Sequence, residues 1–170
     1  MQSKQTQERK PERLVSMLKL LRLSETEFED FSRRTVSDYA GNLVESEAKP
    51  HANAFLDAAE LFQKILPNGQ HTPNHYFFSI FAEAASHAVG NIWLQLNSEE
   101  DSAFLFDIHI EPVYRRRGYA SRALSAAEEF VRKQGLSKIS LHAFGHNGIA
   151  IALYQRAGFT LSHVTMSKDL

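Results

Sequence analysis

Apolar residues crowd together from Leu14 to Leu23, and directly after them Ser24-Glu25-Thr26-Glu27 sets a serine three residues ahead of a glutamate. That spacing lets the two side chains cap the first helical amides reciprocally, so a short strand running into a helix is expected. Phe28, Phe31, Val36, Tyr39 and Leu43 recur at three-to-five-residue spacing, and Ala54 to Leu66 repeats a helical rhythm until Pro67-Asn68-Gly69 stops it, which predicts two helices within residues 25–66. The rhythm then changes. Residues 76–81 and 89–96 are rich in aromatic and branched side chains and read as a hairpin, polar Asn97 to Asp101 forms the next turn, and Ala103 to Ile110 reads as a further strand. In that strand Phe104, Phe106, Ile108 and Ile110 alternate with their neighbours, as one face of a strand would.

Beyond Ile110 strands alternate with helices. A helix is expected over about 119–134, a strand over 138–142, a helix over 149–156 and a last strand over 160–167. No internal repeat, low-complexity tract or linker interrupts this order, so residues 14–170 are expected to form one α+β sheet domain behind a flexible tail at residues 1–13.

Composition narrows the function more than the fold. Across 170 residues, 43% hydrophobic content can supply the core of one domain. Nineteen basic against twenty acidic residues give a net charge of −1, so no global field draws the chain to nucleic acid or an anionic membrane. There is no cysteine, which removes disulfide frameworks, thiolate metal sites and cysteine nucleophiles. No apolar run approaches the roughly 20 residues needed to cross a bilayer, and the polar start does not resemble a secretory signal. A cytoplasmic protein is the expectation, with no nucleic-acid or membrane partner.

The most informative segment runs from Ile110-Glu111-Pro112-Val113-Tyr114 through Arg115-Arg116-Arg117-Gly118 to Tyr119-Ala120-Ser121-Arg122. A strand here enters a tight basic loop that opens a helix. Gly118 permits backbone angles closed to other residues, Ala120 keeps the surface low, and successive N–H groups at a helix start can point at one anion. Pro112 cannot donate a ladder hydrogen bond, so pairing is expected to end there and let the strand edge splay. Alone, the three arginines would fit a solvated surface run or a short nucleic-acid contact equally well. Their place between an apolar strand and an amphipathic helix favours a phosphate-binding loop.

These residues resemble the Gcn5-related N-acetyltransferase (GNAT) superfamily. Its acetyl-CoA loop, (Gln/Arg)-x-x-Gly-x-(Gly/Ala), is matched by Arg115-x-x-Gly118-x-Ala120, and its lead-in Pro-x-Tyr-Arg by Pro112 to Arg115. The family's second signature, an Asn, an Ala, a Leu-Tyr pair and a Gly-Phe pair, is matched by Asn147, Ala150, Leu153-Tyr154 and Gly158-Phe159. Without any function, Asn147 can cap that helix, Gly158 can end it and Phe159 can anchor the next strand. Tyr154 is the exception, because a phenol in an apolar helical stretch needs a partner for its hydroxyl.

The resemblance implies a mixed, mostly antiparallel sheet with a splayed strand, flanked by helices, and an acetyl group moved from acetyl-CoA to an amine. It implies that Arg115, Arg116, Arg117, Gly118, Tyr119, Ala120 and Ser121 hold the cofactor's pyrophosphate and that Ile108 to Ile110 carry its pantetheine arm. A backbone N–H near Ile110 would stabilise the thioester carbonyl, Asn147 would contact the cofactor, and Tyr154 would protonate the leaving thiolate. Weaker likeness over residues 14–170, including Leu141 to Asn147 and Met166-Ser167-Lys168, resembles an uncharacterised bacterial branch.

For a general base, Asp107, His109 and Glu111 share one strand face by period-two alternation. Histidine has the best ordinary pKa, about 6.5, while a carboxylate serves better once burial has raised its own. Glu111 and His109 stand level, with Asp107 behind them; an ion pair between Glu111 and the arginines, a merely structural histidine, or a water chain in place of a side-chain base compete. The pairs His71/His75 and His142/His146 have four-residue spacing, but Pro73 and Gly145 interrupt them and no HExxH pattern follows, so no metal is expected. His142 is placed to line the site. The acceptor, a small-molecule or peptide amine, is shaped by the first two helices and residues 68–75, where no motif guides the reading. A non-catalytic acyl-CoA sensor is the alternative function. Monomer and homodimer both remain open, the last strand offering a pairing edge.

Overall fold

The computed structural model describes residues 17–46, 51–166 and 168, and the expected tail at residues 1–13 lies outside them. Five strands and four α-helices follow in the order β1 (Leu18–Arg22), α1 (Glu25–Glu45), α2 (His51–Ile65), β2 (His75–Ala82), β3 (His87–Asn97), β4 (Ser102–Ile110), α3 (Tyr119–Lys133), β5 (Lys138–Leu141) and α4 (Gly148–Arg156). The strands lie in chain order, β1 to β4 antiparallel and β4–β5 parallel. That is the mixed, mostly antiparallel sheet that the α+β reading expects.

The local signals explain where elements start. Ser24 and Glu27 form the capping box, the glutamate Oε2 accepting from the Ser24 N–H at 2.8 Å while the Ser24 hydroxyl accepts from the Glu27 N–H. Asn147 caps α4, accepting from the Ala150 N–H at 3.1 Å. Gly158, at φ +94°, closes its far end.

The sheet separates two apolar layers. On one face α3 lays Ala123, Leu124, Ala127 and Val131 against Ile80, Ile92, Leu94 and Leu105. On the other, Phe31 of α1 meets Phe77 of β2 and Trp93 of β3 edge to face, with ring centres 5.4 and 6.0 Å apart. Burying one such side chain contributes about 1.5–3 kcal/mol, so this aromatic layer fixes α1 firmly over the middle of the sheet.

Two features of β4 differ from the alternation expected of it. Trp93 pairs with Asp107 but the next β3 residue, Leu94, pairs with Leu105, so Phe106 is the extra residue of a β-bulge. The bulge breaks the single face expected for Phe104, Phe106, Ile108 and Ile110. Phe106 packs with Trp93 on the α1 side, whereas Ile108 and Ile110 join the α3 layer with Leu105. The strand edge also parts from β5 earlier than Pro112 requires, because β4–β5 pairing stops at Leu105–Leu141, next to the bulge.

Among the described residues the last strand expected over 160–167 is not formed, residue 167 lying outside them. Residues 160–166 have no regular structure, with Leu161, Val164 and Met166 exposed at 69%, 68% and 90%. An alternating tract becomes a strand only with a neighbour to pair with, and among the described residues the outer edge of β5 receives none.

Candidate active site

The parting of β4 from β5 exposes backbone as well as side chains. Glu111 N–H donates to Val89 C=O at 2.9 Å, which fixes the ladder phase: Ile108 and Ile110 occupy non-hydrogen-bonded positions opposite Ile92 and Gly90. Their N–H and C=O groups therefore point away from β3, into the opening. The Ile110 carbonyl accepts from Arg115 Nε at 2.8 Å. Gly90 permits this arrangement, since a Cβ there would sit 2.0 Å from the His109 carbonyl oxygen.

The basic loop lies at the end of this opening. Arg116 and Gly118 take left-handed angles, φ +62° and +77°, and Gly118 leads into α3 with no side chain capping the first-turn amides. Those amides have no intrahelical acceptor and carry the positive end of the helix dipole. Beyond its own chain neighbours, a Cβ on Gly118 would meet no atom of the described residues within 4 Å, so the backbone here is open to an anion. Arg116, Arg117 and Ser121 are exposed, Arg117 lying 5.8 Å from the Tyr114 ring centre. Tyr119 is buried in the α3 layer and can reach a phosphate only through its N–H.

Beside the opening lies a cavity of about 350 Å³, bounded by α1, α2, β4, α4 and the loop after β5. Tyr154, Asn147, Ala150, His142 and Ile108 form the wall next to the parted strands. The Tyr154 hydroxyl has no hydrogen-bond partner among the described residues, and burial, with the nearby Asp107 charge adding, pushes its pKa up to about 12. It stays protonated at neutral pH and can donate to an anionic atom.

A polar cluster joins α1 to β4 at the same place. Arg34 Nη2 donates to Asp107 Oδ2 and Asn91 Oδ1, both at 2.7 Å, and Nη1 donates to Asp38 Oδ2 at 2.9 Å. Its buried Nε has no hydrogen-bond partner among the described residues. Burial would lower the Arg34 pKa, but the attraction and hydrogen bonds of Asp107 and Asp38 outweigh it and hold the guanidinium above its ordinary value. His109 stands between Asp38, 3.9 Å from Nδ1, and Glu111, 3.7 Å from Nε2. Burial first, then the Arg34 charge, lowers its pKa, while Asp107, Glu111 and Asp38 pull it partly back. The imidazole is thus a neutral base already below pH 6.5.

Every candidate named from the sequence falls on this opening, its cavity or the loop, although His109 and Glu111 stand beside the cavity wall rather than on it. Sequence reasoning missed Arg34, Asp38 and Asn91. The i,i+4 spacing of Arg34 and Asp38 was legible, but such a pair reads equally as a solvated helix face. His75 plays a structural part, since it is buried and its Nδ1 accepts from Trp93 Nε1 at 2.9 Å. Among the described residues no group of three potential ligands converges to hold a metal, and no helix is long and apolar enough to cross a membrane.

The sheet with its parted strand, the glycine-led loop and the tyrosine-bearing helix define an acetyltransferase architecture, and the acetyltransferase (GNAT) family profile matches residues 27–159, so the chain belongs to that family. It is 34% identical over 146 residues to the uncharacterised N-acetyltransferase YycN of Bacillus subtilis, covering 85% of this chain and 93% of that one. The crystal structure of YycN superposes with a TM-score of 0.86 over 91% of this chain and 99% of that one, at 33% identity. The aminoglycoside N-acetyltransferase AAC(6')-Iy in complex with CoA shares the fold at 17% identity, with a TM-score of 0.57 over 91% of this chain and 95% of that one.

Proposed function

We propose that the protein transfers an acetyl group from acetyl-CoA directly to the primary amine of an acceptor. The observation that carries this reading is the line formed by the Gly118 loop, the outward amides of Ile108 and Ile110, and the unpartnered Tyr154 hydroxyl, which fits a pyrophosphate, a pantetheine arm and a thioester sulfur in that order. The amides of Gly118 to Ser121 hold the pyrophosphate, with Arg115 to Arg117 lowering its electrostatic cost. The Ile108 carbonyl and the Ile110 N–H offer the pantetheine amides ladder positions that β5 leaves unused, the Ile110 carbonyl being taken by Arg115, and Asn147, whose Oδ1 is committed to its cap, presents its NH₂ to the same arm.

Chemistry then needs a donor for the carbonyl oxygen, a base for the amine and an acid for the sulfur. The outward Ile108 N–H, on the wall beside Tyr154, supplies the first. His109 takes the proton released as the amine nitrogen bonds to the carbonyl carbon, through one bridging water beside Asp38, and Glu111 holds the imidazole in orientation. Tyr154 hydrogen-bonds the sulfur as the carbon–sulfur bond breaks and gives it a proton, so an amide and a free thiol leave. The preorganised donors raise the rate because they are already aimed where charge develops.

The reading is tested by assaying CoA thiol release with an amine panel, comparing wild type with Tyr154→Phe. A fall in kcat of about a hundredfold with unchanged acetyl-CoA affinity is expected. An unchanged kcat would remove Tyr154 from the chemistry.

A further inference from the structure

Beyond the cofactor wall, the cavity has a strongly unequal lining. Phe62 and Leu61 of α2, Trp93 of β3, Phe104 and Phe106 of β4, and Phe144 after β5 make an apolar, largely aromatic body. Among the described residues Asp38 and Asp107 are the acidic side chains on its wall, and no lysine or arginine lines it. Both carboxylates share one counter-ion, Arg34, at 2.9 and 2.7 Å. Two negative charges on the wall against the one positive charge they share leave one uncompensated carboxylate there, while Glu111, 3.7 Å from His109, stands outside the wall.

We propose that the acceptor is a small monoamine: one primary amine on a compact arylalkyl or branched-alkyl body. This inference rests on the acetyltransferase reading above and specifies its substrate class. One uncompensated carboxylate complements one ammonium, and the aromatic walls accept the body of such an amine without leaving polar groups unpaired. Within this cavity a second or third ammonium, as in a polyamine or an aminoglycoside, would meet Phe62, Phe106 and Phe144, the nearest further carboxylates among the described residues of α2, Asp57 and Glu60, lying in a separate pocket beyond Tyr39 and Leu61. The weak residual field also suits the chemistry. A denser acidic cluster would raise the amine's pKa and hold it in the protonated, non-nucleophilic form, whereas a single uncompensated carboxylate on the wall attracts the ammonium with less hindrance to the loss of its proton before attack, leaving His109 free to take the proton released as the amide forms.

The volume sets a bound. About 350 Å³ lies at the small end of ligand pockets, and the acetyl-bearing end of the cofactor shares it. A phenylethyl-sized body fits such a space.

The test measures kcat/KM of the full chain with saturating acetyl-CoA for phenylethylamine, isoamylamine, spermidine, kanamycin and an alanine-started hexapeptide, alongside calorimetric binding of acetyl-CoA. The expected result is turnover of phenylethylamine or isoamylamine at least tenfold above the two polycations and the peptide. In Leu61→Glu, which places a carboxylate on the apolar wall at a partly exposed position, kcat/KM for phenylethylamine should fall about tenfold relative to spermidine while acetyl-CoA affinity holds. Preference for spermidine, kanamycin or the peptide would overturn the substrate assignment and leave the transferase reading standing. So would acetyl-CoA binding without turnover of either monoamine. Failure to bind acetyl-CoA would overturn both.

Discussion

Arg34 of α1 donates to Asp107 of β4 at 2.7 Å, bridging residues 73 apart in the chain at the point where β4 bulges. This bond holds the first helix against the strand that leaves its neighbour, and so ties the acceptor wall to the backbone proposed to bind the thioester. Its partners are mostly buried, with side-chain exposures of 19% and 23%, so water cannot replace it cheaply. Arg34→Ala should lose about 2–4 kcal/mol of unfolding free energy in urea, because Asp107 is left without its counter-ion. Arg34→Ala with Asp107→Asn should recover part of that loss; a double variant as unstable as the single one would show that the pair does not couple.

With His109 as the proposed base, the acid limb of the rate should follow its titration. Its lowered pKa means that the base is already neutral below pH 6.5, so log kcat/KM should rise with pH and level off below that value. Glu111→Gln removes one of the charges that pull the pKa back up and should move the limb to lower pH. An unmoved limb in both Glu111→Gln and His109→Gln would assign the titration elsewhere.

The same histidine contributes to stability, together with His75, whose pKa burial also lowers. A folded-state pKa below the unfolded one means that the unfolded chain binds more protons between the two values. Stability should therefore fall as pH drops below about 6.5 and flatten above it, and His75→Asn should shallow the slope in urea titrations at pH 5 to 7.

Gly90→Ala tests the close approach of β3 and β4. A methyl group 2.0 Å from the His109 carbonyl oxygen cannot be accommodated without moving β4, and the strand that moves carries Ile108 to Ile110. A loss of about 1–3 kcal/mol is expected, with a larger fall in acetyl transfer than Gly41→Ala produces at an open helical position.

The elements were legible where local chemistry decides them: the capping box at Ser24, the Asn147 cap, the glycine-led loop and the apolar faces of α3. Both signature segments lie on the opening, since the constraints they encode are short-range. The bulge at Phe106 was hidden for a physical reason. With Phe104, Phe106, Ile108 and Ile110 all apolar, the pattern stays the same whether or not the strand switches faces midway. The Arg34 cluster was equally hidden, because its partners are brought together only when α1 docks through Phe31. Residues 160–166 failed in the opposite sense: their composition suits a strand, but pairing depends on a neighbour that composition does not specify.

The most direct measurement is a calorimetric titration of acetyl-CoA, CoA and dephosphorylated CoA into the wild type and Gly118→Glu, with thermal melts on both. A glutamate at φ +77° places a carboxylate over the open amides, at a strain of about 1–3 kcal/mol that the melts would register. The account predicts micromolar binding of acetyl-CoA to the wild type and none to a folded Gly118→Glu. A folded wild type that binds no acetyl-CoA, or a Gly118→Glu that binds it equally well, would contradict it.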